Sequence, residues 1–298
     1  LGPLLFIISL HDIEEVIQYA LHAYADDIST WKSGTDWSTL RQSLELIGQN
    51  LQVYLAYKGL QVNVIKCNLL IIGRNNLVDV KPTETLRINL LGKQISERTE
   101  IKLLGVTIDN ELNFSTHIKN VLAKCQQNIS FLWRTASSLD MQFRKLLANA
   151  IVIPHLDYCS SVFHLFISKH DSDKLESVQY KLMRFVCGTR RNEYTPAHVL
   201  RQKLNWDTTS LRRQCKLMTL TWSAVYSENA PLYLNQLIAS NAAYNTRFQS
   251  SQVCYFNKYS NYTLNHFYCS QFVKLPRGVL NSASTGAFKR KFLKFSRR

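Results

Sequence analysis

The chain contains 298 residues, of which 46% are apolar, a composition that excludes wholesale disorder and, at this length, predicts about two domains. The net charge is +15: residues 1–110 hold 10 Lys and Arg against 12 Asp and Glu, and residues 111–298 hold 26 against 9. No apolar run reaches the roughly 18 residues of a membrane-spanning helix. Seven scattered cysteines without a C-x₂-C pair argue against a disulfide framework or a structural zinc site.

The first 110 residues predict a mixed α and β domain. From Trp37 to Tyr57 the apolar residues recur at helical spacing, after the helix-capping residue Asp36 and before Lys58-Gly59, which ends a helix. The other segments are shorter: we predict a helix within 1–20, a strand pair over 21–30, a strand over 66–73, and strand-like runs over 86–94 and 100–109.

Beyond residue 110 the pattern becomes helical. Residues 111–229 predict a helical domain without a clear strand, with helices over about 114–138, 141–166, 172–188, 196–204 and 208–226. Residues 230–298 predict a weakly structured basic region, in which 250–275 has no assignable element. The predicted fold class is therefore α+β, with its firmest domain boundary near residue 110.

The residues most suggestive of chemistry are Asp26 and Asp27, within Ala23-Tyr24-Ala25-Asp26-Asp27-Ile28. Two adjacent carboxylates in an apolar, strand-prone run repel each other and favour a cation, which a divalent metal supplies. The alternative is a solvated Asp-Asp turn without function. The phosphate-binding pattern GxxxxGK[ST], the dinucleotide-binding GxGxxG, the zinc-binding HExxH and the nucleophile elbow GxSxG are all absent.

The tetrapeptide YADD at 24–27 resembles the catalytic hairpin of reverse transcriptases, and the segments around it resemble, in order, those of LINE-type (non-LTR), jockey-like retrotransposons. These segments are LGPLLF at 1–6, KGLQVN at 58–63 with Lys66-Cys67, LLGVTID at 103–109, His117-Ile118, and PHLDYCS at 154–160. Shorter similarities continue at 231–234, 244–247 and 288–290. The resemblance therefore covers essentially the whole chain. It implies a partial palm (YADD hairpin, helix and strands), then a helical thumb and a helical C-terminal region.

The resemblance implies an RNA-directed DNA polymerase, whose partners are an RNA template, a DNA primer and dNTPs. Asp26 matches the first hairpin Asp, which binds the catalytic Mg²⁺ ions, and Asp27 matches the second, supporting acid. Tyr24 and Ala25 would lie near the primer end and the incoming nucleotide. In this nucleotidyl transfer the primer 3′-hydroxyl attacks an α-phosphate, while two metals stabilise the attacking and leaving oxygens.

Three further residues take candidate roles from the resemblance. Lys66 would neutralise or protonate the leaving pyrophosphate. The alternative is a surface lysine beside a strand, without a role in catalysis. Leu104 and Gly105 would grip the primer end, because a glycine lets the protein backbone approach the primer closely. The alternative is a glycine that serves only the turn.

Basic residues on predicted helices are candidate nucleic-acid contacts. On the helix over 114–138 these are Lys119, Lys124 and Arg134, which would touch the phosphate backbone, with a solvated basic face as the alternative. The final run FKRKFLKFSRR interleaves aromatic residues with cations, as in arms that bind unpaired bases. Its alternative is a short amphipathic helix that packs Phe288, Phe292 and Phe295 inward.

A reverse transcriptase of this kind needs one more metal-binding Asp, carried by an earlier palm strand, and this sequence has no counterpart of that strand. Since the chain starts at Leu1, without Met, we expect it to begin inside a longer protein. Its further partners would be the upstream fingers, palm and endonuclease domains, and alone it would be inactive. The family resemblance implies an intracellular location, in nucleus and cytoplasm. A non-catalytic nucleic-acid-binding remnant and a structural helical scaffold remain the alternatives.

Overall fold

The computed structural model describes residues 1–17, 19, 21–81, 84–134, 139–189, 193–228, 230–231, 267 and 271–297. The chain divides into two compact units, Leu1–Leu112 and Asn113–Arg298. We call the first the hairpin unit, because it contains every described strand, and the second the helical unit, because its described elements are helices. The division falls between Leu112 and Asn113. No described helix is long and apolar enough to cross a membrane.

The hairpin unit begins with two short helices and a β-hairpin. The single helix predicted within 1–20 is instead a pair, α1 (Gly2–Ser9) and α2 (Ile13–Ile17). The predicted strand pair is confirmed as an antiparallel hairpin of β1 (Leu21–Tyr24) and β2 (Asp27–Thr30). Although α1 is almost wholly apolar, it buries none of its side chains.

The predicted helix over 37–57 is confirmed as α3 (Trp37–Tyr57). Its first turn is capped by the Asp36 carboxylate, which accepts a hydrogen bond from the Thr39 backbone N–H at 2.8 Å. Beyond its end, Gly59 takes a left-handed φ of 74°, a conformation that glycine adopts without a steric penalty. One face of α3 packs with α2 and β1 into a core of Leu10, Ile13, Ile17, Leu21, Ile47, Tyr54 and Leu55.

Two more sheets complete the hairpin unit. The strand predicted over 66–73 is only β3 (Leu69–Leu70), which pairs in parallel with β5 (Lys93–Arg98). On its other edge β5 pairs antiparallel with β4 (Arg87–Leu90). A separate hairpin joins β6 (Glu100–Leu103) to β7 (Val106–Asp109).

The runs predicted over 86–94 and 100–109 are therefore not single strands, because each contains a tight turn. The turns are Leu91-Gly92 and Leu104-Gly105, and all four residues have positive φ. Two-residue turns of this kind match the natural twist of paired strands, usually with Asn, Asp or Gly at the first position. Because leucine is unusual at the first position of such a turn, the sequence gives no signal that a turn lies there.

Seven helices form the main body of the helical unit, and the predicted helices near 114, 172, 196 and 208 are confirmed as α4, α8, α9 and α10. The seven are α4 (Ser115–Arg134), α5 (Met141–Leu147), α6 (Ile153–Asp157), α7 (Ser160–Phe163), α8 (Lys169–Cys187), α9 (Ala197–Leu204) and α10 (Thr209–Tyr226). Hydroxyl caps start the two long ones after α4: Ser168 accepts from Asp171 N–H at 3.1 Å, and Thr208 from Leu211 N–H at 3.1 Å.

The helix predicted over 141–166 is instead broken into three pieces. Between α5 and α6 lies a π-helical turn, Ala148–Val152, which ends two residues before Pro154, whose missing N–H cannot continue the α-helical hydrogen bonds. Between α6 and α7, Cys159 takes a left-handed φ of 46°. Both irregularities lie within or beside the PHLDYCS segment.

Two helices close the chain, α11 (Arg277–Leu280) and α12 (Thr285–Ser296). Within the stretch predicted as weakly structured, residues 271–297 thus form helices that pack on α10. Their shared core contains Cys215, Leu217, Met218, Trp222, Phe267, Phe272, Leu275, Val279, Phe288 and Phe292. The stretch 250–275, left without an element, lies mostly outside the described residues.

Candidate catalytic hairpin and nucleic-acid surface

The β1–β2 hairpin carries the YADD residues at its turn. Tyr24 pairs with Asp27 across the hairpin, so Ala25 and Asp26 form a two-residue turn. Ala25 has a φ of 51°, which costs a residue with a Cβ about 1–2 kcal/mol and is imposed by the paired strands on either side. Since Asp26 lies in the turn, the alternation that sends neighbouring strand residues to opposite faces does not separate it from Asp27.

Both hairpin carboxylates are exposed, and neither forms an ion pair or hydrogen bond with another described residue. No described cation compensates the charge of either carboxylate, so the turn is open to a cation. Carboxylate oxygens on an open turn suit Mg²⁺, which proteins bind through one or two carboxylates together with substrate phosphates. Within the described residues, no three His, Cys, Asp or Glu side chains are grouped closely enough to hold a metal. The hairpin therefore fits one part of a metal site.

Tyr24 and Ala25, the predicted primer- and nucleotide-binding residues, stand beside these acids. Tyr24 is 69% exposed although it lies in a strand, and Ala25 is exposed in the turn. A tyrosine ring left in water at the end of a hairpin is available to contact a ligand.

Asp12 is occupied elsewhere and does not join the hairpin acids. It accepts a hydrogen bond from the Tyr54 hydroxyl at 2.5 Å and pairs with the Lys58 ammonium at 3.2 Å. The hydrogen bond from Tyr54 is the main cause that lowers the pKa of Asp12. Burial and the same carboxylate raise the pKa of Tyr54 to about 12. This acid therefore ties the segment before α2 to the end of α3.

Lys66 lies at the end of a short 3₁₀ turn, Val64–Lys66, and its side chain is exposed. Its backbone carbonyl accepts a hydrogen bond from the Asn68 amide at 2.9 Å, which fixes the turn just before β3. Among the described residues Lys66 forms no ion pair with Asp26 or Asp27. Its position thus leaves the ammonium free for solvent or a ligand.

Leu104 and Gly105 form the tip of the β6–β7 hairpin. Their φ values are 46° and 83°, and the Leu104 side chain is 42% exposed. The paired strands on either side of the tip hold Leu104 in this left-handed conformation, in which glycine is usual. The tip presents backbone and one apolar side chain to the surroundings.

The three predicted cations of α4 lie on its solvent face. Lys119, Lys124 and Arg134 are all exposed, whereas the buried stripe of the same helix, on the opposite side, is formed by Ile118, Cys125, Ile129 and Leu132. At 100° per residue the three cations fall within about 140° of one another. The helix therefore combines a packing face with a basic face.

Acidic residues of the helical unit do little to neutralise these cations. The unit has eight Asp and Glu, all in its described part, against 26 Lys and Arg. Half of the acids pair with neighbouring cations of the core helices, namely Asp157, Asp171, Glu176 and Asp207. Another, Asp140, caps α5 by accepting from the Phe143 N–H at 2.7 Å. Among the described residues, most exposed Lys and Arg of the helical unit thus pair with no acid of that unit.

A buried arginine is the feature that the sequence did not reveal. Arg213 of α10 is 1% exposed, and its guanidinium donates to Ser172 Oγ at 2.7 Å and Thr209 Oγ at 3.0 Å. Burial, together with this charge, lowers the pKa of His164 to about 4. The neighbouring Arg212 is half-buried and pairs with Asp157 at 3.0 Å. From the sequence alone, two adjacent arginines give no indication of which one is buried.

Comparison with known proteins finds similarity to the RNA-directed DNA polymerase from mobile element jockey of Drosophila funebris, at 24% identity over 172 residues. The match covers 55% of this chain and 18% of that polymerase, so the chain spans less than two thirds of its relative. No protein-family model and no solved structure matches the chain. The match supports a relationship to the reverse transcriptases of retrotransposons.

Proposed function

We propose that this chain carries the catalytic hairpin and a nucleic-acid-binding helical unit of a non-LTR retrotransposon reverse transcriptase. The observation that carries the proposal is the YADD turn, where Asp26 and Asp27 stand exposed without a protein partner in a chain related to the jockey polymerase. Bound Mg²⁺ would stabilise the charge on the attacking and leaving oxygens of nucleotidyl transfer. Asp26 would hold it with support from Asp27.

The other candidate residues contribute around this centre. Lys66, with an exposed ammonium, would neutralise the leaving pyrophosphate. Tyr24 would contact the nucleotide end of the primer, and the exposed Leu104-Gly105 tip would hold the primer strand. The basic face of α4 would lie along the phosphate backbone, which positions nucleic acid without reading its sequence.

Two carboxylates are too few for a two-metal site, and the described residues bring no third acid into reach. We infer that DNA synthesis needs a further Asp from a palm segment outside this sequence. The chain alone should therefore extend no primer on an RNA template with magnesium or manganese. Robust incorporation of nucleotides by the purified chain would contradict this inference.

The metal role of Asp26 is tested in a polymerase that joins this chain to fingers and the first half of a palm. Asp26→Asn should abolish incorporation of labelled nucleotides, because an amide cannot balance the charge of the metals. The control is Asp173→Asn, which removes the same charge from an exposed position of α8 and should leave synthesis unchanged. Near-normal synthesis by Asp26→Asn would overturn the assignment.

A second candidate function is nucleic-acid binding without catalysis, favoured by the uncompensated charge of the helical unit. In that case the chain and its Asp26→Asn variant bind RNA equally well. The polymerase that joins this chain to fingers and the first half of a palm is then inactive. The reading frame upstream of Leu1 discriminates cheaply: an open frame that encodes fingers and a metal-binding Asp supports the enzyme, and a stop codon supports the binding protein.

A further inference from the structure

The C-terminal helix α12 is fixed to the helical unit by its apolar face. Phe288 and Phe292 are fully buried, and the ring of Phe288 stacks on Trp222 with 5.6 Å between centroids and 21° between planes. At its end, the Arg297 guanidinium forms two hydrogen bonds of 2.8 Å with the Asp207 carboxylate. The basic tail is therefore a docked helix, and Phe295, at 46% exposed, is the one of its three predicted inward phenylalanines that stays partly in solvent.

The opposite face of α12 carries two cations one turn apart, Arg290 and Lys294. Each is two residues from Phe292, hence about 200° around the helix from that buried ring. Both are exposed, and neither pairs with an acid of the described residues. Between them, Lys291 is engaged differently, because its ammonium donates to the Gly278 carbonyl at 2.9 Å.

Interactions within the helical unit do not explain why Arg290 and Lys294 stand together on this face. Like charges at i and i+4 on a helix repel each other, and α12 contains no acidic residue to offset them. The negative end of the helix dipole favours Lys294, which lies in the last turn, but Arg290 lies before that turn. Every acid of the helical unit is described, and none neutralises the pair. Within the described residues, the acids of the helical unit thus leave both cations available to an anionic ligand.

We propose that Arg290 and Lys294 form a rigid phosphate-binding face that holds a nucleic-acid backbone. The inference rests on the proposed function in taking nucleic acid as the ligand, and it goes beyond that function by assigning a second contact surface on a helix other than α4. Because the helix is already docked, its backbone needs no ordering on binding. Two cations on successive turns suit neighbouring phosphates and read no base.

The test measures affinity of the full chain for a labelled single-stranded RNA of mixed sequence over a range of salt concentrations. Arg290→Gln with Lys294→Gln should make the log–log salt slope shallower by about 1.4, since each lost phosphate contact on a single strand removes about 0.7. The charge-preserving pair Arg290→Lys with Lys294→Arg should keep the slope. The control pair Lys93→Gln with Lys102→Gln removes two exposed charges from the hairpin unit and should also keep it.

Thermal unfolding of each variant separates binding from folding, and we expect the melting temperature to stay the same because both side chains are in solvent. An unchanged slope in the Gln pair, or an equal change in the control pair, would overturn the proposal. A shallower slope accompanied by a lower melting temperature would also overturn it, since the face would then act through folding. The two proposals can fail separately. If the Gln pair has a shallower salt slope but Asp26→Asn synthesises DNA normally in the joined polymerase, the phosphate-binding face stands and the metal role of Asp26 is rejected.

Discussion

Leu91 and Leu104 occupy the same position in two hairpin turns, each followed by a glycine and each with a left-handed φ, 53° and 46°. A leucine in this conformation costs about 1–2 kcal/mol, which a glycine avoids at the expense of some chain entropy. We expect Leu91→Gly and Leu104→Gly each to raise the free energy of unfolding by about 0.5–1 kcal/mol. Urea unfolding of the two variants measures this.

The same pair of variants tests the predicted primer contact of Leu104. If Leu104 holds the primer, Leu104→Gly should weaken primer binding in the joined polymerase while it stabilises the fold. Leu91→Gly, the matched control, should stabilise without that loss. Equal primer affinity in both variants would make the contact role of Leu104 wrong.

We expect His164 to make the stability of the helical unit depend on pH. Its pKa is lowered to about 4 in the folded chain, by burial first and by Arg213 second, against roughly 6.5 when unfolded. The unfolded state therefore binds more protons between these values. His164 stabilises fully above pH 6.5, and this contribution is lost as the pH falls towards 4, at no more than about 1.4 kcal/mol per pH unit.

Denaturant unfolding at pH 7 and pH 5 measures this dependence. His164→Leu should reduce the difference between the two conditions, whatever its effect at either pH. Some dependence should remain, because burial also lowers the pKa of His117. His170→Gln, at an exposed position, is the control, and a loss of pH dependence equal to that of His164→Leu would count against the assignment.

At the scale of elements, α4 offers a basic face that can be removed without disturbing its buried stripe. Replacing Lys119, Lys124 and Arg134 with Gln should weaken binding about equally for unrelated nucleic-acid sequences, because phosphate contacts carry no sequence information. Gln is a good helix former, so the melting temperature should hold.

Competition binding with two unrelated RNA sequences checks this prediction. The matched variant replaces Lys81, Lys93 and Lys102, three exposed lysines of the hairpin unit, with Gln. If both triple variants lose the same affinity, the effect is one of net charge, and α4 has no particular place in the contact.

The sequence predicted the long helices well, because their signals are local. Asp36 and Gly59 delimit α3, and the apolar spacing of α4 and α10 gives their buried faces. The hairpins were harder, since Leu91 and Leu104 stand where turn residues are usually small or polar. The pairing of the strands on both sides holds them in place, and the turn residues themselves give no signal of it.

The other differences have separate causes, one local and one from packing between helices. Pro154 and the left-handed Cys159 break what reads as one helix, and the burial of Arg213 depends on hydroxyls from two helices. For the candidate site, the sequence predicted Asp26 and Asp27 within a strand pair over 21–30, and the structure adds that Asp26 lies in a two-residue turn. The roles of Lys66, Leu104 and Gly105 stay predictions, because they depend on ligands.

At the scale of the whole molecule, charge separates the two units. Leu1–Leu112 holds 10 Lys and Arg against 13 Asp and Glu, and Asn113–Arg298 holds 26 against 8. We expect the helical unit, expressed alone, to retain nearly all of the affinity for RNA and the full salt slope, with a linear log–log dependence. Binding by the hairpin unit alone with comparable affinity would show that the contacts lie elsewhere.

The two-residue turns have a consequence for the gene. Since strand side chains alternate with a period of two, adding a single residue at Ala25-Asp26 or at Leu104-Gly105 either loosens the turn or shifts the pairing and reverses which side chains face inward. We therefore expect a change in length at these tips to disturb the fold more than a substitution does. Among related copies, a codon gained or lost at either tip would mark a lineage that no longer depends on this hairpin.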